Sequence, residues 1–166
     1  MVDFNEFKKL EESKAPPRPQ VKLEWSKYAQ EVFEKHNQIR TNPQLLIPRL
    51  EAAIERFKDK ILMSEDGKSG VETLEGKEAY LEAIAFLQKQ RPVPALKWAS
   101  ELAMAAQDHV NDVGPKGIMS SIGSDGSMPQ DRIARYCCID EAWAESLCFG
   151  ATTADEVMER MIVDDG

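Results

Sequence analysis

The spacing of apolar residues constrains the fold of this chain more than any other feature. Over most of the length this spacing is typical of helices, and in one segment it becomes typical of a strand. From Glu24 onward, apolar side chains recur at intervals of three and four residues, which is typical of helices with one buried face. Between residues 141 and 149 the interval becomes two, so that Trp143, Leu147 and Phe149 share one side. The sequence therefore predicts a helix-rich α+β domain with a strand over residues 141–149.

Capping signals indicate where the helices begin. Asparagine before proline, and Ser or Thr followed three residues later by Gln or Glu, are typical of helix N-termini. Helices are expected to begin at Glu24, Asn42-Pro43, near residues 76 and 100, at Ser127 and at Thr153, with loops over 63–72 and 114–127. The expected inward side chains include Trp25, Tyr28, Val32, Phe33, His36 and Ile39; Leu46, Leu50, Ile54 and Phe57; Tyr80, Ala83, Ile84 and Leu87; Leu102, Ala105, Ala106, His109 and Val110; and Val157, Met158, Met161 and Ile162.

Composition excludes several classes of function. The 166 residues suit one domain, and the net charge of −8 comes without a block of Lys or Arg that could follow a phosphate backbone. Nucleic acid is therefore not expected as a partner. No run of residues reaches the roughly 18 apolar positions that a membrane span needs.

The N-terminal region differs in composition from the rest. Residues 1–23 are charged and contain Pro16, Pro17, Arg18 and Pro19, which predicts an extended tail before a domain over residues 24–166. This tail is interpreted either as a plain tether or as a strap that binds a protein partner. It has no apolar core of a secretory signal, so an intracellular, cytoplasmic location is expected.

The cysteines agree with a reducing compartment. Their number is odd, and Cys137 and Cys138 are adjacent, which makes a poor disulfide framework with Cys148. The adjacent pair has two interpretations. It is either a pair of partly buried thiols near a strand or a redox-active or metal-binding half site.

Glu145 is the most unusual placement in the chain. It shares the predicted strand face with Trp143 and Leu147, so a carboxylate points where apolar groups point. Burying a carboxylate without a partner is unfavourable by several kcal/mol, so Glu145 requires a cation, hydrogen-bond donors or a water-lined cleft. It is interpreted either as a groove residue that acts as metal partner or general base, or as a structural acceptor.

Other polar residues are weaker candidates. His36 and His109 each occupy an inward helical position and are far apart in sequence, so their spacing does not imply a metal site. Arg132 and Arg135 are expected to form ion pairs with nearby aspartates rather than an anion site. Neither a nucleophile elbow nor a phosphate-binding loop is present, which argues against a hydrolase.

Several motifs occur in a fixed order along residues 29–166. They are His36-Asn37-x-x-Arg40-x-x-Pro43, Glu82-Ala83-Ile84-x-Phe86-Leu87, Pro94-x-Leu96-x-Trp98, Ala105-Ala106-x-x-His109-Val110-x-Asp112, Gly123-Ser124-Asp125-Gly126-Ser127, Asp131-Arg132-Ile133-x-Arg135-Tyr136, Ala144-Glu145-Ser146-Leu147-x-Phe149-Gly150 and Ile162-Val163-Asp164-Asp165-Gly166. Together they resemble the CAP superfamily, also called the SCP or sperm-coating-protein domain, in its small bacterial and protist branch. The resemblance implies an α-β-α sandwich with a groove on one side.

In many members, two histidines and two acidic residues line that groove and sometimes hold zinc. Some members bind sterols or fatty acids, and proteolytic activity has been proposed for a few. The resemblance matches Glu145 to the glutamate of the family's Gly-Glu-Asn motif, while Ala144 and Ser146 replace its neighbours. Ser121 stands where the first histidine is expected. The second histidine and the last strands would follow Gly166, so the sheet is expected to be incomplete in this chain.

These departures favour a non-catalytic module. One carboxylate without histidines cannot assemble a tetrahedral zinc site, so no metal and no cofactor are expected. The preferred hypothesis is a CAP-like module that binds protein or builds a larger assembly, with Glu145 and Ser121 as remnants of the groove. The alternative is a CAP-type protein that binds a metal, sterol or lipid in the groove around Glu145. An enzyme is not expected.

Overall fold

The computed structural model describes residues 26–138, 142–163 and 165. The predicted tail over residues 1–23, with Pro16, Pro17, Arg18 and Pro19, lies outside these residues, as does Trp25. The statements below concern the described residues.

Six α-helices and two 3₁₀ turns account for most of the described residues. They are α1 (Lys27–Thr41), a 3₁₀ turn (Pro43–Leu46), α2 (Ile47–Ile54), α3 (Lys77–Lys89), α4 (Ser100–Val113), a second 3₁₀ turn (Gly114–Lys116), α5 (Pro129–Ala134) and α6 (Ala154–Ile162). The predicted helices are confirmed with two differences: α1 is described from Lys27, since Glu24 lies outside the described residues, and α2 ends at Ile54, before Phe57, which was expected on its inward face. Thr153 and Glu156 form the expected capping box at the start of α6. The capping box predicted to begin at Ser127 begins one residue later. The amide of Met128 donates to the side chain of Asp131, three residues further on.

The sheet begins before the predicted loop over residues 63–72 and ends inside it. Strands β1 (Phe57–Lys58), β2 (Ile61–Met63) and β3 (Gly70–Glu72) pair antiparallel in the order β1-β2-β3. The prediction of a loop over residues 63–72 was therefore partly wrong. These strands are too short for alternation to be visible in the sequence, and they are fixed by pairing across two turns. At Gly70 a Cβ atom would lie 2.5 Å from Ile61 Cγ2, so this position of β3 requires glycine.

The predicted strand over residues 141–149 is wrong for the described part of that segment. Residues 142–149 form neither helix nor strand. Alternation describes how side chains are distributed, whereas a strand also needs a neighbouring backbone to pair with. Within the described residues, no backbone hydrogen bond supplies that neighbour.

The main core lies between α1, α2, α3 and α6. Leu50 is fully buried and Leu87 is 1% exposed, as their spacing predicts. The buried apolar side chains of this core are Ile39, Leu46, Leu50, Ala53, Ala79, Tyr80, Ala83, Ile84, Leu87, Val157, Met158 and Val163. The fold is a helix-rich α+β fold with one small sheet, as predicted.

Helices α4 and α5 pack against each other beside this core. The chain before α4 is tied to α1 by a reciprocal pair of hydrogen bonds between the Asn37 side chain and the Leu96 backbone, at 3.1 and 2.7 Å. On α4, the buried side chains are Ala105, His109 and Val113. Leu102 and Val110 were expected to point inward but are 47% and 58% exposed, because α5 is short and covers only a narrow face of α4.

A polar group is buried inside the main core. Glu159 of α6 is 5% exposed, and its carboxylate accepts hydrogen bonds from Arg49 Nε at 2.6 Å and the Tyr80 hydroxyl at 3.0 Å. Burial raises the pKa of Tyr80 above its ordinary value of 10.0, and the adjacent Glu159 carboxylate raises it further.

This shift predicts a loss of stability at alkaline pH. Because the pKa of Tyr80 is higher in the folded chain than in the unfolded one, its contribution is complete below pH 10 and is lost as the pH rises toward the folded-state value. We expect the free energy of unfolding, measured by urea denaturation, to fall above pH 10 in the parent chain and to fall less in Tyr80→Phe. The more exposed Tyr136→Phe is the control, and an equal change in both variants would contradict the assignment.

No helix among the described residues is both long and apolar enough to cross a membrane.

Candidate functional site

The loop that contains Ser121 is held by the end of α4. Asp112 accepts hydrogen bonds from Lys116 Nζ, from the Ser124 hydroxyl and, at 2.7 Å, from the Ser124 amide. These donors hold the pKa of Asp112 well below its usual range, Lys116 contributing most. The carboxylate therefore fixes the loop from the second 3₁₀ turn to Ser124.

A tight turn follows at Gly123–Gly126. The Gly123 amide donates to the Ser127 carbonyl at 2.8 Å, and Asp125 accepts from the Ser127 amide at 2.9 Å. A Cβ atom at Gly123 would lie 2.5 Å from Ser127 Oγ and displace that side chain, and the φ of 84° at Gly126 favours glycine. The glycines singled out in the sequence thus shape a turn that leads directly into α5.

Arg132 of α5 lies at the centre of this region. Its spacing from Pro129 and Ile133 places the three residues on the buried face of α5, and Arg132 is only 2% exposed. Nη1 donates to the backbone carbonyls of Ser121 at 3.1 Å and Ser127 at 3.0 Å. The guanidinium therefore joins the loop of the candidate site to the helix that follows.

The same guanidinium binds Glu145. Nη2 of Arg132 lies 2.9 Å from Oε1 and 3.1 Å from Oε2 of the carboxylate, and the Glu145 side chain is 22% exposed. The requirement for a partner, which followed from the sequence, is met by a buried cation. Ser121 and Glu145 thus meet at one guanidinium, Ser121 through its carbonyl and Glu145 through both carboxylate oxygens.

The two histidines lie on different helices. His109 is 3% exposed, and its Nε2 lies 2.8 Å from the carbonyl oxygen of Ser120, which fixes the proton on Nε2. Its Nδ1 is buried without a hydrogen-bond partner among the described residues. His36 of α1 is half-buried, and burial, with a smaller effect of Arg40, lowers its pKa.

A family model described as "CAP: Cysteine-rich secretory protein family" matches residues 33–157, which is well over half of the chain. The chain belongs to the CAP family. No curated protein and no solved structure matches it. The match includes the Ser121 loop, α5 and Glu145, so the geometry described above lies within the CAP region.

The residues of this CAP chain do not fit the zinc site that the family sometimes carries. Both oxygens of Glu145 face the Arg132 guanidinium, and a fixed cation there disfavours a second one. Ser121 supplies a hydroxyl in place of imidazole, which is a poor ligand for zinc. The Nε2 proton of His109 is engaged with Ser120, and the described residues contain no group of three or more His, Cys, Asp or Glu that could hold a metal ion.

Arg132 is the residue that sequence reasoning missed in this CAP chain. It was expected to pair with nearby aspartates, but its partner is Glu145. Arg135 does pair with Asp125 and with Asp108, each at 3.4 Å. The available signal was the spacing of Pro129, Arg132 and Ile133, which places the arginine on the apolar face of a short helix.

The cysteines differ in exposure: Cys138 is exposed, whereas Cys137 and Cys148 are partly buried. Burial raises the pKa of Cys148. A raised pKa disfavours the reactive thiolate. Cys148 therefore has the character of a packed side chain rather than of a nucleophile.

A separate cleft of about 730 Å³ lies between the hairpin β2–β3 and α6. Apolar side chains, among them Leu62, Val71 and Met119, form part of its wall, and Glu159 and Arg160 supply charge. Neither Ser121, Arg132 nor Glu145 lines it. The cleft and the candidate site are thus different parts of the CAP domain.

Proposed function

We propose that this CAP-family chain is a non-catalytic module that binds protein and serves as a structural component of a larger assembly. The observation that carries the proposal is the ion pair of Glu145 with the buried Arg132 guanidinium, at 2.9 and 3.1 Å. In this arrangement Glu145 stabilises the fold by pairing with Arg132 and is not available to bind a substrate.

The chemistry at this pair supports the proposal. A general base needs a free lone pair within reach of the proton that it removes. Both oxygens of Glu145 are directed at Arg132, and the Ser121 carbonyl is directed at the same group. Nη2 of Arg132 contacts both carboxylate oxygens of Glu145, so moving the carboxylate to a metal ion would leave the buried guanidinium uncompensated.

The surface beside the pair supports a protein partner. Trp143 and Leu147, two residues on either side of Glu145, are 42% and 38% exposed. Aromatic and apolar side chains beside a neutralised charge are typical of the centre of protein interfaces, which lack unpaired charges and are rich in tryptophan. Small-molecule sites instead enclose their ligand in a concave pocket.

The proposal is tested on the untagged protein from its native source. We expect it to migrate, on size fractionation at low and high salt, in a complex well above the mass of one chain, with constant companions identified by mass spectrometry. A Trp143→Ser/Leu147→Ser variant, introduced in place of the native chain, should leave the complex. The control Val71→Ser/Leu74→Ser changes two even more exposed apolar residues, in β3 and just after it, and this variant should remain in the complex. Migration as a free 18.7 kDa species would contradict the proposal.

The alternative is a metal, sterol or lipid ligand in the groove around Glu145. We expect calorimetric titration with zinc, and fluorescence titration with a sterol and with a fatty acid, to give no binding that depends on Glu145. The comparison is between the parent chain and Glu145→Gln, with circular dichroism to verify that the variant is folded at the temperature used. Saturable binding that disappears only in Glu145→Gln would favour the alternative. Binding to the separate cleft would be equal in both proteins.

A further inference from the structure

We draw no further inference here: the strongest candidate, the cleft of about 730 Å³ between the hairpin β2–β3 and α6, has charged wall residues that already bind partners within the chain, and nothing in the described residues shows what covers or occupies it.

Discussion

Glu145→Gln is expected to lower the free energy of unfolding by about 3 kcal/mol, since it leaves the buried Arg132 guanidinium without its counter-charge. Arg132 is 2% exposed in the folded chain, so water solvates its charge poorly. The Glu145 side chain is 22% exposed, so the expected loss lies at the lower end of the range for buried pairs. Urea denaturation followed by circular dichroism measures it.

Two further variants separate the ion pair from a general effect of substitution. Arg135→Gln changes a neighbouring arginine that is 45% exposed and lies 3.4 Å from its carboxylate partners, so a loss below about 0.5 kcal/mol is expected. The double variant Arg132→Met/Glu145→Leu removes both charges and should recover most of the stability lost in Glu145→Gln. A Glu145→Gln protein as stable as the parent would show that the pair is not structural and would weaken the proposed function.

Glu159→Ala is the second substitution with a large expected effect, also about 3 kcal/mol. It removes a carboxylate that is 5% exposed, leaves the Tyr80 hydroxyl without its acceptor and opens a cavity in the main core. Arg49 is 28% exposed and can turn toward water, so its charge adds less to the loss. Thermal and urea unfolding both report this effect.

The exposed Glu51→Ala on α2 is the control for Glu159→Ala, because it makes the same change outside the core. It should alter the free energy of unfolding by less than about 0.5 kcal/mol. A double-mutant cycle with Tyr80→Phe isolates the hydrogen bond between the two side chains. Full additivity of the two substitutions would contradict a direct interaction.

The helices could be predicted from sequence because their hydrogen bonds are local. Each amide of a helix bonds to a carbonyl four residues earlier, and the side chains that cap or cover the helix are near in sequence. The predicted helix over residues 76–90 is observed as α3, and Thr153 and Glu156 form the predicted capping box. The faces that bury Leu50 and Leu87 follow from the same short-range periodicity.

Alternation alone was not sufficient to predict strands. Residues 142–149 alternate but pair with no backbone among the residues that the structure describes, whereas the short strands β2 and β3 form without visible alternation. A strand depends on a second backbone whose position is set by the rest of the fold. The exposed positions of Leu102 and Val110 have a related cause, since periodicity identifies an apolar face but not the width of the surface that covers it.

In the candidate site, too, some features could be predicted from the sequence and others depend on tertiary packing. The need of Glu145 for a partner, the serine at position 121 and the CAP order of motifs could all be read from the sequence. That the partner is Arg132, and that its guanidinium also binds the Ser121 carbonyl, became visible in the folded chain. Burial of a charge is unfavourable whatever its neighbours, which makes the need for a partner predictable. The choice among available cations depends on how α5 packs, and contacts of that kind are not encoded in local sequence.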